Sequence, residues 1–534
     1  MIFYKFTVKP DSWSAEFAIT QERTDFITSD PEEIKDLYED YKDDVWIAYN
    51  ANDYHRHLLK AIIVDLNPVK VHEFIMGGES GWKYSEMMNY VQLNSYDAML
   101  NKQYSLKQLS AFQGKKINDS VEDLMDVFIK QIDTFISRLE ILLEFKISLK
   151  NIDKSETQLV ALILRARKVN HYDDWEVTIL DHDLGKYEHT RYYYKNDDET
   201  LETDIADVPH KYGLGGLHGA RKNYAAKGLF IHADCRSMYP TIINKYKFLS
   251  RNVNYPEKYN QLLKTRLKLK TKKDKKHKTY KLIINKGFGA IGDKYNLMFD
   301  QRQYHNIVIN GQLFMTDLID KLEPYIELIQ TNTDGIVFKI NENDFDTIDE
   351  ICYEWESRTG LTLDFNYFDY VYQKDVNNYI FVGDEIITAG AYVKQLSPLD
   401  NDLPIVNKAV RDYFIHGIEP EDTINQCNKL IDYQIIVKAE AVKYGVTNYF
   451  DKVYRFFAAK NGEHALKFQK GKLVKIALLS DFCRMIQEDV RDMEVPEWLD
   501  RQWYINLANK RINDFMGTKN TAKNDSVCEQ ISFW

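Results

Sequence analysis

The chain has 534 residues, of which 44% are hydrophobic and 28% charged, so it can bury about two to four domain cores and is not a disordered protein. It has no run of ~18 apolar residues and no basic opening followed by an apolar stretch, which predicts a cytoplasmic protein without a membrane span or secretory leader. The five cysteines lack Cys-x-x-Cys spacing and argue against a zinc site, and the net charge of −11 does not by itself indicate nucleic-acid binding.

The amino-terminal part of the chain mixes strand-like and helical patterns. Residues 1–9 alternate like a strand, residues 44–50 form a second strand-like run, and residues 54–64 are typical of a helix. Apolar residues recur at helical spacing over residues 121–146, which predicts one amphipathic helix there. The first 190 residues are therefore expected to form an α/β domain.

The middle of the chain contains two aspartates that each lie at the end of a short apolar run resembling a buried strand, one within residues 228–240 and the other within residues 329–340. Between them, residues 255–288 have a helical pattern with a highly charged centre, which predicts two helices joined by a polar tip. Residues 310–326 predict a further helix, and the sequence beyond 396 indicates mostly helices.

The two aspartates, Asp234 and Asp334, lie 100 positions apart with a basic segment between them. Metal-assisted nucleotidyl transfer needs shared carboxylate ligands for two Mg²⁺ ions and positive charge on the far side of a triphosphate. Residues 264–281 supply that charge, with ten Lys or Arg and one acid. Lys281 and Asn285 are four residues apart on a predicted helix, so they share a face.

Each of these features also has a purely structural explanation. A carboxylate such as Asp234 can simply end a strand in a turn, and Asp334 followed by glycine is a common turn between the strands of a hairpin. A lysine run is most often the solvated face of a helix. The order and spacing of the features, taken together, favour the catalytic interpretation.

Three segments, in this order, resemble motifs of family B DNA polymerases, in particular of a group carried by bacteriophages. Residues 234–240, Asp-Cys-Arg-Ser-Met-Tyr-Pro, resemble the Asp-x-x-Ser-Leu-Tyr-Pro motif. Residues 281–289 resemble the Lys-x-x-x-Asn-Ser-x-Tyr-Gly motif, with Lys286 and Phe288 in place of Ser and Tyr. Residues 332–335, Asn-Thr-Asp-Gly, resemble the Asp-Thr-Asp-Ser motif and keep its second aspartate, which is the metal ligand in that family.

The resemblance implies a site for two Mg²⁺ ions, with Mn²⁺ as a substitute, held by the catalytic carboxylates Asp234 and Asp334 and by the carbonyl of Cys235. One ion would lower the pKa of the primer 3′-hydroxyl and the other would neutralise charge on the triphosphate. Tyr239 would lie under the sugar, where its ring leaves no room for a 2′-hydroxyl. The expected nucleotide-binding residues are Ser237, Met238, Tyr239, Arg266, Lys281 and Asn285.

Two further regions are similar to segments that hold DNA in this family. Residues 374–379, followed by 390–392, resemble the segments that hold the primer strand. Residues 212–216 resemble a Tyr-x-Gly-Gly hinge that contacts the template, with one residue too many. The expected DNA-binding residues are Tyr212, Gly215, Gly216, Lys374, Asn378, Tyr379 and Tyr392.

The fold that the resemblance implies is an α+β and α/β multidomain protein. It is a right-hand polymerase with palm, fingers and thumb, preceded by an RNase H-like exonuclease-type domain. The expected domains are an exonuclease-like domain over 1–195, a first palm segment over 205–255, fingers over 256–290, a second palm segment over 291–394 and a thumb over 395–534.

The proofreading site of the family is degenerate in this chain. In the related phage group the first strand reads like Phe-Tyr-Asp-Phe-Glu-Val, whereas residues 3–8 place Lys5 and Thr7 at the two acidic positions. His55 stands where the second motif has an aspartate, and Asp133 would be the one ligand left. A lysine in place of a metal-binding carboxylate reverses the charge, so we expect a retained fold without 3′→5′ proofreading.

Several alternatives stay open. Asp53, Asp30 or Glu32 could replace the lost exonuclease ligands. A pseudo-polymerase that only binds primer-template DNA or a replication protein is a second class of function, although the catalytic residues remain. A reverse transcriptase or primase-polymerase is a third. The absence of a Tyr-x-Asp-Asp turn argues against the former, and Tyr239 as a ribose gate argues against the latter.

The short separation of the first two motifs predicts how synthesis is primed. Only 47 positions separate Asp234 from Lys281, so the insertion of protein-primed family members is absent and a nucleic-acid primer is expected. The implied partners are primer-template DNA and dNTPs, with a phage or host helicase, primase or single-strand-binding protein as candidates. We expect a monomer that does not bind membranes and that, if phage-encoded, works in the bacterial cytoplasm.

Overall fold

The computed structural model describes residues 1–22, 24–173, 176–187, 200–390 and 392–517. The chain divides into two compact units. Unit 1 comprises Met1–Ser155, Leu396–Ile405 and Asn425–Tyr504, and unit 2 comprises Glu156–Gln395, Val406–Ile424 and Ile505–Trp534. Each unit therefore combines segments that are distant in the sequence.

Helices and strands are mixed along the whole chain. The helices are α1 (Pro31–Tyr41), α2 (Arg56–Ile63), α3 (Pro68–Met76), α4 (Met87–Tyr90), α5 (Leu106–Phe112), α6 (Val121–Lys130), α7 (Ile132–Glu144), α8 (Glu156–Ile163), α9 (Met238–Lys245), α10 (Glu257–Thr271), α11 (His277–Gly292), α12 (Gln301–Leu322), α13 (Phe345–Thr359), α14 (Pro404–His416), α15 (Pro420–Gln426) and α16 (Arg501–Met516). The strands are β1 (Ile2–Lys9), β2 (Ser12–Ile19), β3 (Thr24–Thr28), β4 (Val45–Ala48), β5 (Asn94–Asp97), β6 (Leu201–Ile205), β7 (Val208–Gly213), β8 (Gly216–Ala220), β9 (Tyr224–Cys235), β10 (Ile326–Asn332), β11 (Gly335–Ile340), β12 (Leu363–Asp375), β13 (Asn378–Gly383), β14 (Ile386–Ala389), β15 (Ile435–Lys438), β16 (Val442–Tyr444), β17 (Thr447–Tyr449), β18 (Val453–Glu463), β19 (Ala465–Gln469), β20 (Lys472–Lys475) and β21 (Cys483–Met485).

Unit 1 contains a five-stranded sheet with the order β3-β2-β1-β4-β5. Strand β1 pairs antiparallel with β2 and parallel with β4, and β4 pairs parallel with β5. The alternation of β1 sends Ile2, Tyr4 and Phe6 to one face, where they join Trp46 in a buried core. The strand predicted over residues 1–9 is confirmed.

The single helix predicted over residues 121–146 is wrong, because the structure has two helices there. Helix α6 ends at Lys130 and α7 begins at Ile132, and Gln131 between them has φ −120° and ψ 21°. Both helices send an aromatic ring to the same place, and Phe128 and Phe135 pack edge-to-face with ring centroids 5.2 Å apart. The apolar spacing therefore continues through the break and does not reveal it.

The prediction of mostly helical structure beyond residue 396 is also wrong. Among the described residues 397–517, seven strands form a three-stranded sheet of order β15-β18-β21 and a four-stranded sheet of order β17-β16-β19-β20, both in unit 1. Arg455 of β18 is fully buried and donates to the carbonyls of Ala111 and Lys115, at 3.0 and 2.6 Å. This side chain fastens the carboxy-terminal strands to the amino-terminal part of the same unit.

Unit 2 contains a nine-stranded sheet with the order β14-β13-β12-β9-β11-β10-β8-β7-β6. The long strand β9 lies between β11 and β12 and pairs antiparallel with both. The two helices predicted within residues 255–288 are present as α10 and α11. The helix predicted over residues 310–326 is present as the longer α12, which buries most of its side chains.

The combination of several sheets with many helices makes the protein a mixed α+β multidomain protein, which confirms the predicted fold class. The assignments of exonuclease-like, palm, fingers and thumb domains stay predictions, and the end of the predicted thumb, residues 518–534, lies outside the described residues. Within the described ranges, every helix is too short or too polar to span a bilayer.

Candidate active site

Strands β9 and β11 bring the two predicted catalytic aspartates together. Asp234 is the last residue but one of β9, and Gly335, the first residue of β11, pairs with it across the ladder. The backbone N–H of Cys235 donates to the carbonyl of Asp334 at 2.7 Å. Two residues that are 100 positions apart in sequence therefore lie on adjacent backbone segments.

Asp334 occupies the turn of a tight hairpin, as the sequence pattern predicts. Asn332 pairs with Gly335 and closes a two-residue turn, in which Thr333 has φ 61°. A Cβ atom on Gly335 would lie 3.3 Å from Oδ1 of Asp234 and 2.7 Å from Nε2 of His232. Glycine at this position therefore leaves room for the Asp234 side chain over the turn.

The pKa values of both carboxylates are raised. Burial raises the pKa of Asp334 to about 6, and the negative charge of Asp234 adds to the increase. Burial also raises the pKa of Asp234, with a contribution from the nearby Asp364 carboxylate. A half-buried pair of like charges is an unfavourable arrangement unless cations approach it, and perturbed pKa values of this kind cluster at functional sites.

The carboxylates line a cavity of about 390 Å³ in unit 2. Cationic side chains form another part of the cavity wall. Residues of the two predicted motifs around Asp234 and Lys281 complete it. The lining residues are Asp234, Cys235, Arg236, Ser237, Met238, Tyr239, Pro240, Arg266, Lys270, Lys281, Asn285, Phe288, Asp334 and Asp364. All residues predicted to bind nucleotide or metal therefore lie around one cavity.

The cationic wall is built by the antiparallel pair of helices α10 and α11. Their contact is a buried tyrosine, since Tyr259 of α10 donates its hydroxyl to the carbonyl of Ile284 at 3.2 Å. Gly287 leaves room for that ring, because a Cβ there would lie 3.2 Å from Tyr259 Cε2. The packing turns Arg266 and Lys281 toward the same cavity from different helices.

Three polar residues of the cavity were not predicted as site residues: Arg236, Lys270 and Asp364. Asp364 of β12 lies opposite Asp234 in the β9–β12 ladder and forms an ion pair with Arg236, which lowers the pKa of Asp364. No motif around Asp364 identifies it as a site residue. Its place in the cavity follows from the position of its strand beside β9. Arg236 and Lys270, by contrast, lie within segments already singled out by motif and by charge.

Tyr239 belongs to a stack of three rings beside the cavity. Its ring lies 4.0 Å from the ring of Phe288 at an angle of 23°, and Phe288 in turn lies 5.3 Å from Tyr304 at 22°. Ser237 precedes helix α9 with φ 52° and accepts a hydrogen bond from Arg266 at 3.4 Å. The predicted ribose-gate residue is thus held by its neighbours rather than free in the cavity.

The three residues predicted to contact template lie at the turn between β7 and β8. Tyr212 is fully buried, and its hydroxyl makes a hydrogen bond of 2.9 Å with that of Thr316. Gly216 has φ 129°, and a Cβ there would lie 2.7 Å from Oγ1 of Thr333. Contact of Gly215 and Gly216 with the template stays a prediction. Because the Tyr212 side chain is buried, a template contact of this residue would have to be made by its backbone.

The predicted primer-binding residues lie at the hairpin of β12 and β13 and just beyond β14. Lys374 forms an ion pair with Asp514, and its ammonium lies 5.2 Å from the ring of Tyr392. The Asn378 amide donates to Asp375 at 2.8 Å, and the ring of Tyr379 stacks on Phe381. These four residues share one edge of the large sheet, and their contact with DNA stays a prediction.

The predicted degenerate exonuclease positions lie in unit 1. The Lys5 ammonium pairs with Asp119 at 3.3 Å, and the Phe6 N–H donates to Nδ1 of His55 at 3.1 Å. Burial and the Lys5 charge lower the pKa of His55 to about 3, so this ring is neutral beside a cation. Thr7 and Asp133 are exposed, and in the described part of the chain no hydrogen bond or ion pair joins Asp133 to Lys5 or His55.

The carboxylates considered as substitutes have other partners. Asp30 caps helix α1 by accepting from the N–H of Glu32 at 2.9 Å, and Glu32 pairs with Lys35 at 2.7 Å. Asp53 pairs with Lys102 at 2.8 Å. Each of these acids is thus engaged with a local partner.

The donor set of the cavity fits Mg²⁺ better than a metal that needs a protein cage. Among the described residues, no group of three or more His, Cys, Asp or Glu side chains is placed to hold a metal ion. Mg²⁺ typically uses one or two carboxylates together with waters and substrate phosphates. Asp234 and Asp334, with their raised pKa values, meet that requirement, and the Cys235 carbonyl is a third candidate ligand.

Comparison with known proteins finds distant likeness among solved structures only. No family model matches the chain, and a search of curated proteins finds no relative. Among solved structures, the chain is similar to the family B DNA polymerase from the hyperthermophilic archaeon Pyrobaculum calidifontis, with a TM-score of 0.45 and 11% sequence identity, covering 98% of this chain and 78% of that chain. A likeness this distant does not by itself assign an activity, a substrate or a partner to this chain.

Proposed function

We propose that this protein is a DNA-directed DNA polymerase that extends a primer 3′-hydroxyl with dNTPs. The observation that carries the proposal is the cavity in which Asp234 and Asp334, from neighbouring strands, share a wall with Arg266 and Lys281 from helices α10 and α11. Phosphoryl transfer is catalysed almost entirely by positioning and by electrostatic stabilisation, and this cavity offers both anionic metal ligands and cationic phosphate donors.

The acidic and basic residues around the cavity would have different roles in the reaction. Asp234 and Asp334 would hold two Mg²⁺ ions, which activate the primer hydroxyl and stabilise the charge that develops on the phosphates. Lys281 and Arg266 would contact the triphosphate, and Asn285 would lie beside the nucleotide. Burial lowers the pKa of Arg266, and the charge of Arg236 lowers it further.

Ion pairing would keep the third carboxylate of the cavity out of the metal pair. Asp364 is paired with Arg236, and this ion pair keeps the pKa of Asp364 low. Tyr239 would select the sugar, and the choice of base would come from pairing with the template.

A primer-extension assay tests the proposal. The protein is incubated with a labelled DNA primer on a DNA or an RNA template, with dNTPs or rNTPs, and with Mg²⁺. We expect extension with dNTPs on DNA, and a loss of about 10³-fold or more in Asp234→Asn and in Asp334→Asn. The exposed Asp384→Asn, which makes the same chemical change outside the cavity, is the control.

The outcomes separate the alternatives. Binding of primer-template without extension would identify a pseudo-polymerase, and extension only on RNA templates would identify a reverse transcriptase. Synthesis from rNTPs without a primer would indicate a primase-polymerase. Equal extension by the wild type and by Asp234→Asn would place the reaction elsewhere and refute the proposed site.

We further propose that the protein does not proofread. Support comes from Lys5 and His55, which lie side by side at positions where metal-binding carboxylates are expected from the family resemblance. Lys5 brings a positive charge and is paired with Asp119, and the neutral His55 offers no anionic oxygen. Two divalent cations would be repelled there.

A primer with a mismatched 3′ end, incubated with Mg²⁺ and no dNTP, tests this second proposal. We expect no shortening of the primer above that of a protein-free control. Shortening that persists in Asp234→Asn, where polymerase chemistry is blocked, would show a working exonuclease and contradict the proposal. Loss of that shortening in Asp53→Asn would then identify the substitute ligand.

The biological setting is proposed from the motif resemblance alone. The protein would replicate phage DNA from a nucleic-acid primer in the bacterial cytoplasm, with the right-hand domain order given above. Helicase, primase and single-strand-binding protein are the candidate partners.

A further inference from the structure

Helix α12 contacts both the turn between β7 and β8 and the ring of Tyr239, although none of its residues lines the cavity. Three of its side chains bind the turn. Tyr304 donates to the Leu214 carbonyl at 2.8 Å, Gln312 donates to the Gly213 carbonyl at 2.7 Å, and Thr316 bonds the Tyr212 hydroxyl. The turn that is predicted to meet the template is therefore fixed by this one helix.

The same helix also supports the ring of Tyr239. A Cβ on Gly311 would lie 3.1 Å from Cε1 of Tyr239, so α12 is in close contact with the ring at that point. Phe288 also packs on this ring, since the rings of Tyr239 and Phe288 are stacked with centroids 4.0 Å apart. A tilt of the Tyr239 ring would therefore disturb its contact with Phe288.

Phe288 is in turn held by Tyr304. The two rings are stacked with centroids 5.3 Å apart, and Gly292 leaves the space that Tyr304 fills, since a Cβ there would lie 2.5 Å from Tyr304 Cε2. The Tyr304 ring is fixed at its far end by the hydrogen bond to Leu214. The stack is therefore anchored to backbone and not to another mobile side chain.

We infer that Tyr304 is a positioning residue for sugar selection, which holds Tyr239 against the 2′ position of the incoming nucleotide through Phe288 and anchors it to the turn at Leu214. The inference rests on the proposed polymerase function and deepens it. The substrate class that Tyr304 excludes is the ribonucleoside triphosphate, whose 2′-hydroxyl needs the space that the Tyr239 ring occupies.

The structural alternative is that Tyr304 only fills the core between α11 and α12. A core role would make its substitution affect stability without changing the ratio of kcat/KM for dNTP to that for rNTP. A positioning role changes this ratio, because the looser stack lets the Tyr239 ring give way to a 2′-hydroxyl. The ratio is thus the quantity to measure.

The experiment compares Tyr304→Phe with Tyr38→Phe in single-nucleotide extension. Tyr38 in unit 1 also donates to a backbone carbonyl, that of Gln92 at 2.7 Å, so its variant makes the same chemical change away from the cavity. We expect the dNTP-to-rNTP ratio to fall about three- to tenfold in Tyr304→Phe, as for the loss of one hydrogen bond, and to stay unchanged in Tyr38→Phe. An unchanged ratio in Tyr304→Phe overturns the inference.

A double-mutant cycle shows whether Tyr304 acts through Tyr239. Tyr239→Val removes the ring and sets the lowest ratio, so Tyr304→Phe should cause no further fall in that background. The same fall in both backgrounds would mean that Tyr304 acts by another route and would contradict the inference.

Amide hydrogen exchange separates failure of the inference from failure of the proposed function. If the wild type does not extend primers, the polymerase proposal fails. The effect of Tyr304 on the β7–β8 turn and on Tyr239 can still be measured. Exchange at residues 213–216 and in α9 should be faster in Tyr304→Phe than in the wild type or in Tyr38→Phe. Equal exchange in all three proteins would show that Tyr304 positions neither the turn nor the gate.

Discussion

Asp334 carries the largest electrostatic cost of the candidate site. Its pKa is about 6 in the folded protein, well above the ordinary aspartate value, because of burial and the charge of Asp234. Between pH ~4 and ~6 the folded state therefore holds a proton that the unfolded state has lost, and stability falls as the pH rises through this window. Above pH ~6 the full penalty applies unless a cation is bound.

Replacing this charge should stabilise the metal-free protein. At pH 7.5 with a chelator, Asp334→Asn is expected to raise the free energy of unfolding by about 1 to 3 kcal/mol, and Asp384→Asn to leave it unchanged. Added Mg²⁺ should raise the melting temperature of the wild type more than that of Asp334→Asn. Equal stabilities of the two proteins, measured by chemical denaturation without metal, would contradict this picture of the carboxylate pair.

The same pKa predicts the acid limb of the activity profile. Since protonated Asp334 is a poor ligand, kcat/KM for dNTP should fall as the pH is lowered through about 6. Raising the Mg²⁺ concentration should move the midpoint to lower pH, because the cation competes with the proton. A rate that does not change between pH 5 and 7 at limiting Mg²⁺ would exclude Asp334 as the titrating ligand.

At the scale of the element, strand β18 carries the one side chain that most directly connects distant segments of unit 1. Arg455 is fully buried and makes four hydrogen bonds through its guanidinium group, three of them to backbone carbonyls and one to Gln434. Burial lowers its pKa to about 10, with only a small opposing contribution from Asp489. Its charge is balanced by carbonyl dipoles and not by a carboxylate partner.

Arg455→Met should therefore destabilise unit 1 strongly. The substitution keeps an unbranched apolar stem but removes the guanidinium donor from the carbonyls of Ala111, Lys115 and Glu488, and we expect a loss of about 3 kcal/mol or more in the free energy of unfolding. Arg491→Met, which removes an exposed arginine paired with Asp489, is the control and should cost less than about 1 kcal/mol. Similar denaturation midpoints for the two variants would show that Arg455 does not fasten these strands.

The elements differ in how far the sequence could predict them. The hairpin at Asp334 was predictable because an Asp-Gly step between two apolar runs has few other conformations. The break at Gln131 was not, because the apolar spacing continues from α6 into α7. Strands such as β16 and β17 have three residues each, which is too short to establish a period of two.

At the scale of the whole molecule, the acidic balance of the chain conceals a concentrated basic region. The net charge is −11, yet residues 264–281 hold ten Lys or Arg against one acid. The structure places Arg266, Lys270 and Lys281 of this segment around the carboxylate cavity. Net charge alone would have excluded the nucleic-acid partner that the local distribution favours.

The candidate site could be predicted from the sequence wherever a motif keeps its residues close together. Ser237, Met238 and Tyr239 follow Asp234 directly, and Lys281 and Asn285 share one helix face. Asp364 and Tyr304 could not be predicted, because each reaches the site through tertiary pairing, across the β9–β12 ladder in one case and through a ring stack in the other. Spacing along the chain carries no information about such contacts.

Binding of Mn²⁺ to the assembled complex tests most directly whether Asp234 and Asp334 hold divalent cations together. The protein is mixed with primer-template DNA and a non-hydrolysable dNTP, and the bound Mn²⁺ is counted by electron paramagnetic resonance. The wild type and Asp384→Asn should bind about two ions, and Asp234→Asn and Asp334→Asn fewer and more weakly. Equal number and affinity of bound ions in all four proteins would show that these carboxylates do not form the metal site.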